Sequence, residues 1–419
     1  MDSSFHSSNR KTLYDAMPDN TLVVSFAGDA LRLSADAYNY FYPNRNFVYL
    51  TGISGAEAQG FIFFAHKVKG KTEEIIFALP KDLMAERWNG RRLSFEEISQ
   101  MSGIPTIKPV EEFENVLHTA ITNKEFAYIA LDLDRYKPDE PDGEVHRFAK
   151  LIGQRYPHLC IVNYHGQLRT QRTIKQPCEI FAMKKAMQAT KAGIFAMMKA
   201  SKPEVYEYEL LAEFNYACTK MGILTPVHYP IIAAGENNFC IHYYGYQGQA
   251  KDGDMILVDC GAYQDNIWTD VSRTWPVNGQ FNERQRQLYE CAYKTSEYMF
   301  GIIKPGMPMA DVDLTIRKHC YEYLRELKLV DTYENVGKLM WHGGAHHVGY
   351  DVHDEVDVPG DRLLEAGMIF CVDVGIYCED WGIGFRLEDN CLVTEDGCIN
   401  LSAAIPRSIE EIEAVFHNV

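Results

Sequence analysis

Two copies of one short phrase, each with an aspartate, stand in the second half of this chain. Val-Asp-Cys-Gly-Ala-Tyr contains Asp259, and Val-Asp-Val-Gly-Ile-Tyr contains Asp373. A second apolar stretch follows each copy and leads to another acid, Asp270 in the first case and Glu388 in the second. We predict that each phrase is a strand ending in its aspartate and forms the first arm of a hairpin, in two equivalent halves. Four acids facing one another in this way predict a metal site.

Imidazoles cluster between the two predicted hairpins, in residues 341–354. The adjacent Gly343 and Gly344 argue against a helix, so His342 and His346 do not form a helical zinc motif. A glycine-rich turn can instead bring several imidazoles close to one point. One nitrogen ligand added to four carboxylates favours hard or borderline ions such as Mn²⁺. Five ligands that include bridging acids suit a pair of ions.

Each of these residues also has an ordinary structural interpretation. A single aspartate at a strand end, such as Asp259, commonly caps a turn. Glu388 could be a solvated edge residue with Arg386 as its ion-pair partner, and His347 is expected to pack or to face solvent. The joint pattern of four acids around a histidine cluster favours the metal site over these separate interpretations.

Hydrophobic periodicity predicts the elements that would position these residues. Apolar runs over residues 20–26 and 74–79 predict buried strands in the first third of the chain. Four helices with an apolar stripe are predicted in the second block: from about Pro177 onward, 205–221, 282–300 and 309–327. Helix pairs alternating with hairpins predict an α+β fold with a mainly antiparallel sheet.

The length of 419 residues exceeds what one hydrophobic core usually covers, so two domains are expected. We place their boundary before Pro177, where the first long helix begins, which gives domains 1–175 and 176–419. Eleven cysteines lie without Cys-x-x-Cys spacing and are expected to be reduced thiols. Cys260 and Cys371, beside the acids, are expected to be buried rather than metal-bound, and strand alternation should turn Cys260 away from Asp259.

The charge balance restricts the possible partners. Fifty-eight acids against 41 bases give a net charge of -17, which would repel nucleic-acid phosphates. No stretch approaches the roughly 18 apolar residues of a membrane span, and the N-terminus lacks a signal pattern. We therefore expect a cytoplasmic protein that binds neither nucleic acid nor membrane.

With these motifs in place, the chain resembles the pita-bread metallopeptidases, and most of all their aminopeptidase P and proline dipeptidase group. The matching segments of the second block follow the family's order: residues 235–243, 258–261, 269–277, 342–349, 351–354 and 384–389. Residues 42–52 and 88–92 are similar to the aminopeptidase P N-terminal domain. The resemblance implies a C-terminal pita-bread domain with a pseudo-twofold repeat and an antiparallel sheet, preceded by a smaller α/β domain.

The resemblance also implies roles for individual residues. The implied ligands of two divalent ions, with Mn²⁺ preferred and Co²⁺ or Zn²⁺ as alternatives, are Asp259, Asp270, His346, Asp373 and Glu388. His242 and His353 would hold substrate and stabilise the tetrahedral intermediate. Three further residues would support the site: His342, Tyr377 and Arg386, the last by orienting Glu388. In a homodimer or homotetramer, Trp88 is the candidate contact to a neighbouring active site.

The implied activity is removal of the N-terminal residue from peptides with proline in second position. One departure bears on it, because the family's Glu-Pro-Gly is replaced here by Asp373, Val374 and Gly375. The shorter Asp373 would have to serve both as ligand and as general base. The alternatives are therefore a dipeptidase acting on Xaa-Pro, or a metal-binding pita-bread protein with lost or altered activity. The intact Asp259, Asp270, His346 and Glu388 argue against a non-catalytic binding protein, and the four retained acids argue against the metal-free creatinase type.

Overall fold

The computed structural model describes residues 1–123, 126–223, 229–354 and 361–417. It divides into two compact units, Met1–Gln171 and Arg172–Val419. No helix among the described residues has the length and apolar character needed to cross a bilayer. Each unit contains a sheet system and a hydrophobic core of its own.

One mixed sheet, six-stranded in the described residues, forms the centre of the first unit, in the order β6-β5-β4-β1-β7-β8. Its strands are β1 (Thr21–Phe26), β4 (Ile62–Val68), β5 (Lys71–Ala78), β6 (Ile107–Pro109), β7 (Tyr128–Leu131) and β8 (Cys160–Asn163). A small separate hairpin joins β2 (Arg32–Ser34) to β3 (Ala37–Tyr38). The helices are α1 (Ser3–Asp15), α2 (Arg45–Thr51), α3 (Leu83–Asn89), α4 (Phe95–Ser102), α5 (Phe113–Asn123) and α6 (Glu144–Arg155), and α7 (His165–Thr173) runs across the division. Both strands predicted in this unit are confirmed, as β1 and β5.

The sheet of the first unit is mixed because its centre pairs in both directions. Strand β1 runs antiparallel to β4 and parallel to β7. Alternate residues of β1, Leu22 and Val24, are buried in the core together with Phe64 and Leu131. This arrangement gives the α/β character predicted for the smaller domain.

Four of the helices of the second unit lie close to the predicted positions, and the C-terminal helix was not predicted. The helices of this unit are α8 (Pro177–Ala200), α9 (Glu207–Lys220), α10 (Glu283–Ile302), α11 (Ala310–Glu326) and α12 (Ile409–His417). Pro177 stands in the first turn of α8, where its missing N–H costs nothing, and Glu179 Oε2 accepts from Gln176 N at 2.7 Å. Helices α8 and α9 pack closely at Gly193, where an added Cβ would lie 2.4 Å from Phe214 Cδ2.

Two antiparallel three-stranded sheets form the second unit in its described residues, ordered β13-β10-β9 and β14-β15-β16. The strands are β9 (Ile231–Ala234), β10 (Met255–Cys260), β13 (Val271–Pro276), β14 (Ile369–Cys378), β15 (Ile383–Val393) and β16 (Cys398–Asn400). A short hairpin of β11 (Tyr263–Gln264) and β12 (Ile267–Trp268) lies between β10 and β13. Each sheet therefore contains one copy of the repeated phrase.

The two sheets meet where β13 lies beside β15. Thr274 Oγ1 accepts from Arg386 N at 3.2 Å and donates to Arg386 O at 3.1 Å. Fully buried Arg273 donates to Glu388 O at 2.7 Å and to Asp389 Oδ1 at 2.7 Å. These buried contacts link the two sheets, and with them the two copies of the repeat.

One element of the predicted hairpins is wrong. Asp259 lies next to the end of β10, as predicted, but Asp373 lies in the middle of β14, which continues to Cys378. The strand continues because its later residues pair with β15 on one side, while on the other side Tyr377 N donates to Leu339 O at 2.7 Å. The two copies of the phrase therefore occupy corresponding places in their sheets, although the strands that carry them differ in length.

Candidate metal centre

The four acids predicted from the repeat lie at the junction of the two sheets. Asp259 is on β10, Asp270 directly precedes β13, and Asp373 and Glu388 face each other in the register of β14 and β15. Asp270, Asp373 and Glu388 are all buried. Strand pairing brings residues separated by long stretches of chain into one cluster of carboxylates.

The histidine segment reaches this cluster because its backbone pairs with the free edge of β14. Cys371 N donates to His346 O at 2.8 Å, and Asp373 N donates to Gly344 O at 3.0 Å. Gly344 has no room for a side chain, since an added Cβ would lie 2.8 Å from Ile316 Cδ1 and 3.1 Å from Asp373 O. The segment is not helical, as its paired glycines predict.

His346 points at the acids from this edge. Its Nε2 lies 3.3 Å from Glu388 Oε1 and 3.7 Å from Asp270 Oδ2. One ligand atom from each of Asp270, His346, Glu388 and Cys371 lies within 4.8 Å of all the others. The geometry therefore brings one imidazole and two acids to one point, with Asp373 opposite Glu388 in the strand register.

The electrostatics of the cluster suit a cation. Burial, followed by the charges of Glu388 and Asp259, raises the pKa of Asp270 well above its usual value. Burial and the charge of Asp373 also raise the pKa of Glu388, although its hydrogen bond with His346 opposes this. Oxygen Oδ1 of Asp373 is buried and has no hydrogen-bond partner within the described part of the chain. An oxygen-rich, crowded and incompletely satisfied donor set of this kind fits divalent metal ions.

Cys371 belongs to the same geometric cluster but has different chemistry. Burial, with the nearby charges of Glu388 and Asp270, raises the pKa of its thiol well above the usual value. The amide nitrogen of Asn390 lies 3.3 Å from its sulfur. A neutral buried thiol is a poor metal ligand, since the thiolate is the binding form. Cys260 is also buried and belongs to the hydrophobic core.

Arg386 does not orient Glu388, which corrects the expectation from the sequence. Its guanidinium donates to Asp259 Oδ2 at 2.9 Å and to Tyr377 OH at 3.1 Å. Tyr377 is buried, and Asp259 is half-buried. Arg386 shares a strand face with Glu388, but its long side chain extends across the sheet junction to β10. The hydroxyl of Ser272 holds Glu388 instead, donating to Oε2 at 2.8 Å.

Ser272 was missed by the sequence analysis, although a signal for it was present. It stands two residues after Asp270, so strand alternation puts both side chains on the same face. It also lies directly opposite Asp259 in the register of β10 and β13. The position that Glu388 takes opposite Asp373 is thus taken by a serine in the first copy of the repeat.

His342 and Tyr377 support Asp373. The imidazole Nδ1 of His342 lies 3.1 Å from Asp373 Oδ2, and its Nε2 lies 3.0 Å from Tyr377 OH. Burial lowers the pKa of His342, but the charge and hydrogen bond of Asp373 outweigh this and raise it to about 9. Gly375 makes room for the ring, since an added Cβ would lie 2.2 Å from His342 Nε2. The His342 imidazole is therefore held against one oxygen of the Asp373 carboxylate. The other oxygen has no hydrogen-bond partner in the described part of the chain.

The remaining histidines take different positions. His353 is exposed, and its ring centroid lies 4.3 Å from that of His346. His242 is also exposed and follows Ile241, whose carbonyl accepts from Arg386 at 3.2 Å. His347 is buried, and burial is the main reason why its pKa is lowered to about 4, so it packs as expected.

A buried ionic cluster that the sequence analysis did not identify holds the segment carrying His353. Fully buried Asp354 accepts from Lys175 Nζ at 2.8 Å and also from Arg172. Arg172 donates as well to Asp351 at 2.5 Å. These cations stand far from residues 351–354 in the chain, so only the folded structure shows their contact.

Trp88 lies on α3 in the first unit. It is 83% exposed, and none of the residues of α3 is buried. Leu83 and Met84 of the same helix are also largely exposed. The helix thus presents a row of apolar side chains at the surface of its own unit.

Comparison with known families agrees with both units. The model of metallopeptidase family M24 matches residues 182–395, and that of the aminopeptidase P N-terminal domain matches residues 6–129. A Xaa-Pro aminopeptidase of Haemophilus influenzae is 30% identical, with 96% of this chain and 95% of the relative covered. A second Xaa-Pro aminopeptidase, from Escherichia coli, is 27% identical over 97% of this chain and 96% of its own.

Solved structures show the same fold. One from Bacillus anthracis, assigned as an aminopeptidase P, is 35% identical with a TM-score of 0.96, covering 100% of this chain and 99% of its own. Zinc-substituted Escherichia coli aminopeptidase P in complex with product is 25% identical with a TM-score of 0.90 and the same coverage. These matches confirm the predicted fold class, a pita-bread domain preceded by a smaller N-terminal domain.

Proposed function

Because this chain belongs to metallopeptidase family M24, we propose that it is a Xaa-Pro aminopeptidase, which removes the N-terminal residue from peptides with proline in second position. The observation that carries the proposal is the convergence of Asp270, His346 and Glu388 at the sheet junction, with Asp373 facing Glu388. Relatives named Xaa-Pro aminopeptidase match both units over nearly their full lengths. The N-terminal match supports this specificity within the family.

The proposed metal ligands follow from the donor set. Two divalent ions would be held by Asp259, Asp270, His346, Asp373 and Glu388. Oxygen-rich coordination favours Mn²⁺, and Co²⁺ or Zn²⁺ are alternatives. When bound, such ions supply a nucleophile from water near neutral pH and polarise a carbonyl group.

The protein's own residues would then handle the proton and the developing charge. Asp373 is the proposed general base, which accepts a proton from the attacking water and passes it to the departing proline nitrogen. His342 holds one oxygen of that carboxylate, and the other, Oδ1, is buried without a hydrogen-bond partner in the described part of the chain. His242 and His353 are proposed to hydrogen-bond the substrate as negative charge grows on its carbonyl oxygen.

Supporting residues fix the geometry of the proposed ligands. Arg386 holds Asp259 through one arm of its guanidinium and Tyr377 through the other. Catalysis is sensitive to displacements of about 1 Å, so these contacts bear directly on rate. The shorter stem of Asp373, compared with a glutamate, is the feature that favours the second candidate, a dipeptidase acting on Xaa-Pro or an enzyme of altered activity.

Domain organisation, assembly and location complete the proposal. We assign residues 1–175 to an aminopeptidase P-like N-terminal domain and residues 176–419 to the catalytic domain. We further propose a cytoplasmic homodimer or homotetramer that acts on proline-containing peptides, in which exposed Trp88 contacts a neighbouring subunit. Its high exposure on a helix without buried residues supports that contact.

The test compares three peptides with metal-depleted protein to which Mn²⁺ is restored. Mass spectrometry follows a Xaa-Pro-Yaa tripeptide, a Xaa-Pro dipeptide and an otherwise identical tripeptide without proline. Metal-dependent release of Xaa from the proline tripeptide alone is the expected result. Cleavage confined to the dipeptide would assign dipeptidase activity, and no cleavage at full metal loading would overturn the peptidase proposal.

A further inference from the structure

The loop that carries His242 is closed by one buried carboxylate. This His242 loop comprises residues 234–248. It begins at the last residue of β9 and ends at Gly248, which lies beside the start of α9. Glu207, the first residue of α9, is 1% exposed. Its Oε1 accepts from Ala234 N at 2.8 Å, and its Oε2 accepts from Gly248 N at 2.8 Å. The two ends of the loop are therefore bound to the two oxygens of a single side chain.

Two side chains inside the loop also donate to this carboxylate. Asn237 Nδ2 donates to Oε1 of Glu207 at 2.8 Å, and Tyr243 OH donates to Oε2 at 2.9 Å. Asn237 also donates to the Tyr243 hydroxyl at 3.0 Å. Gly248 is confined by this arrangement, since an added Cβ would lie 2.5 Å from Glu207 Oε1. Four donors thus converge on an acid whose two oxygens act only as acceptors.

The same loop is tied to the metal centre on its other side. Asn238 Nδ2 donates to Met255 O and to Gly384 O, each at 3.0 Å, and so links the loop to β10 and β15. The carbonyl of Ile241 accepts from Arg386, which also holds Asp259. His242 is the next residue in the chain. Its backbone is therefore fixed between the Glu207 carboxylate and the guanidinium that contacts a proposed ligand.

We propose that Glu207 is a positioning residue for the proposed peptidase reaction, setting the place of His242 at the substrate by holding both ends of its loop. The inference rests on the proposed function of His242 but concerns a residue about which neither the repeat nor the motifs gave any sign. Glu207 touches no metal ligand, and its contacts lie within the loop and its anchoring strand end.

Glutamine is the informative substitution, because it keeps the shape but cannot keep the contacts. A backbone N–H faces each oxygen of Glu207, so either orientation of an amide sets its NH₂ group against a donor. One end of the loop must then move or lose its partner. The matched control is Glu209→Gln, since Glu209 lies on the same helix and accepts only from Tyr206 N at 2.8 Å among the contacts that the structure gives its side chain.

The experiment is a double-mutant cycle of Glu207→Gln and His242→Ala in the metal-loaded protein, measured on a Xaa-Pro-Yaa tripeptide. We expect Glu207→Gln to lower kcat/KM by about 10²-fold with metal content unchanged, since a displacement of about 1 Å has that effect. In the His242→Ala background the same substitution should lower kcat/KM by less than about threefold, because there is no histidine left to position. Glu209→Gln should retain the wild-type kcat/KM.

Equal losses in both backgrounds, or wild-type activity of Glu207→Gln, would overturn the positioning role. If Glu207→Gln does not fold, Tyr243→Phe replaces it in the cycle, since it removes one donor of the cluster and is expected to show the same coupling at smaller size. Amide hydrogen exchange separates this inference from the proposed function. Faster exchange at Ala234 and Gly248 in Glu207→Gln supports the loop role even if the wild type cleaves no peptide, and unchanged exchange contradicts it.

Discussion

Ser272 donates a hydrogen bond of 2.8 Å to Glu388 Oε2 across the junction of the two sheets. The contact joins β13 of one copy of the repeat to β15 of the other, and it fixes one oxygen of a buried proposed ligand. A neutral hydroxyl can orient this carboxylate without neutralising it. The charge of Glu388 therefore remains available to a metal ion, whereas Arg386 directs its own charge to Asp259.

Replacing Ser272 should weaken metal binding and leave the fold intact. Ser272→Ala removes the group that orients Glu388, and loss of such a partner costs about 10- to 100-fold in metal affinity or activity. Isothermal titration of metal-depleted protein with Mn²⁺ measures the affinity directly. Ser296→Ala is the control, because Ser296 is equally buried but accepts from Arg407. Equal affinities of Ser272→Ala and the wild type would contradict the role assigned to Ser272.

Arg386→Lys should lower activity although the charge is kept. Lysine offers a compact ammonium in place of a planar fork, so it cannot hold Asp259, Tyr377 and Ile241 O together. We expect kcat/KM to fall by about tenfold or more, with most of the protein still folded. Steady-state kinetics measure the effect, and Arg284→Lys is the control. Arg284 stacks on Trp381. Similar small effects of both substitutions would show that the fork geometry is unimportant.

The assignment of Asp373 as general base predicts a severe loss on removal of its charge. Asp373→Asn keeps the size of the side chain but cannot accept the proton, so kcat should fall by about 10²-fold or more. Metal analysis of the same sample shows whether a ligand has been lost as well. Asp380→Asn, at a residue outside the centre, should behave as the wild type. Retention of most of the activity by Asp373→Asn would assign the proton transfer to another group.

Metal binding should stabilise the protein, and more so at neutral than at acidic pH. In the metal-free protein burial and mutual repulsion raise the pKa of Asp270 and of Glu388, so their ionised forms destabilise the fold. Cations relieve that repulsion, whereas protons compete for the same oxygens. Thermal unfolding with and without Mn²⁺ should show a larger rise in Tm at pH 7.5 than at pH 5. A rise that is independent of pH would contradict carboxylate coordination.

Glu179 gives a pH dependence that does not involve the metal centre. Burial raises its pKa from 4.5 to about 7, and Lys175 only partly offsets this. A folded-state pKa above the unfolded value means that its stabilising effect is complete below about pH 4.5 and is lost as pH rises through about 7. Glu179→Gln should therefore gain in urea midpoint relative to the wild type between pH 5 and pH 8. A constant difference across that range would show that Glu179 is ionised throughout.

Local sequence signals were sufficient to locate four helices of the second unit, and they directed attention to the acids of the proposed centre. Pro177 and the apolar stripe behind it located α8, and the repeated phrase located Asp259 and Asp373. The helices could be located because capping and periodicity depend on neighbouring residues, and the repeat could be recognised because its two copies are alike in sequence. The paired glycines at Gly343 and Gly344 likewise excluded a helix around His346.

Contacts between distant segments were beyond the reach of the same reasoning. The partner of Arg386 depends on which strand lies across the sheet junction, and strand alternation alone cannot distinguish Asp259 from Glu388. The hydrogen bonds of Glu207 to the two ends of the His242 loop depend on tertiary packing in the same way, as does the contact of Lys175 with Asp354. Supporting residues of this kind carry no motif, because any donor or acceptor at the right place would serve.

Metal-dependent cleavage by a two-ion centre is tested by measuring metal content and peptide cleavage in one sample. Metal-depleted protein is titrated with Mn²⁺, and bound metal per chain and release of Xaa from a Xaa-Pro-Yaa tripeptide are measured at each step. We expect cleavage to be absent without metal, to rise as the centre fills and to reach its maximum at two ions per chain. Cleavage that survives complete metal removal, or two bound ions without cleavage, would contradict this expectation.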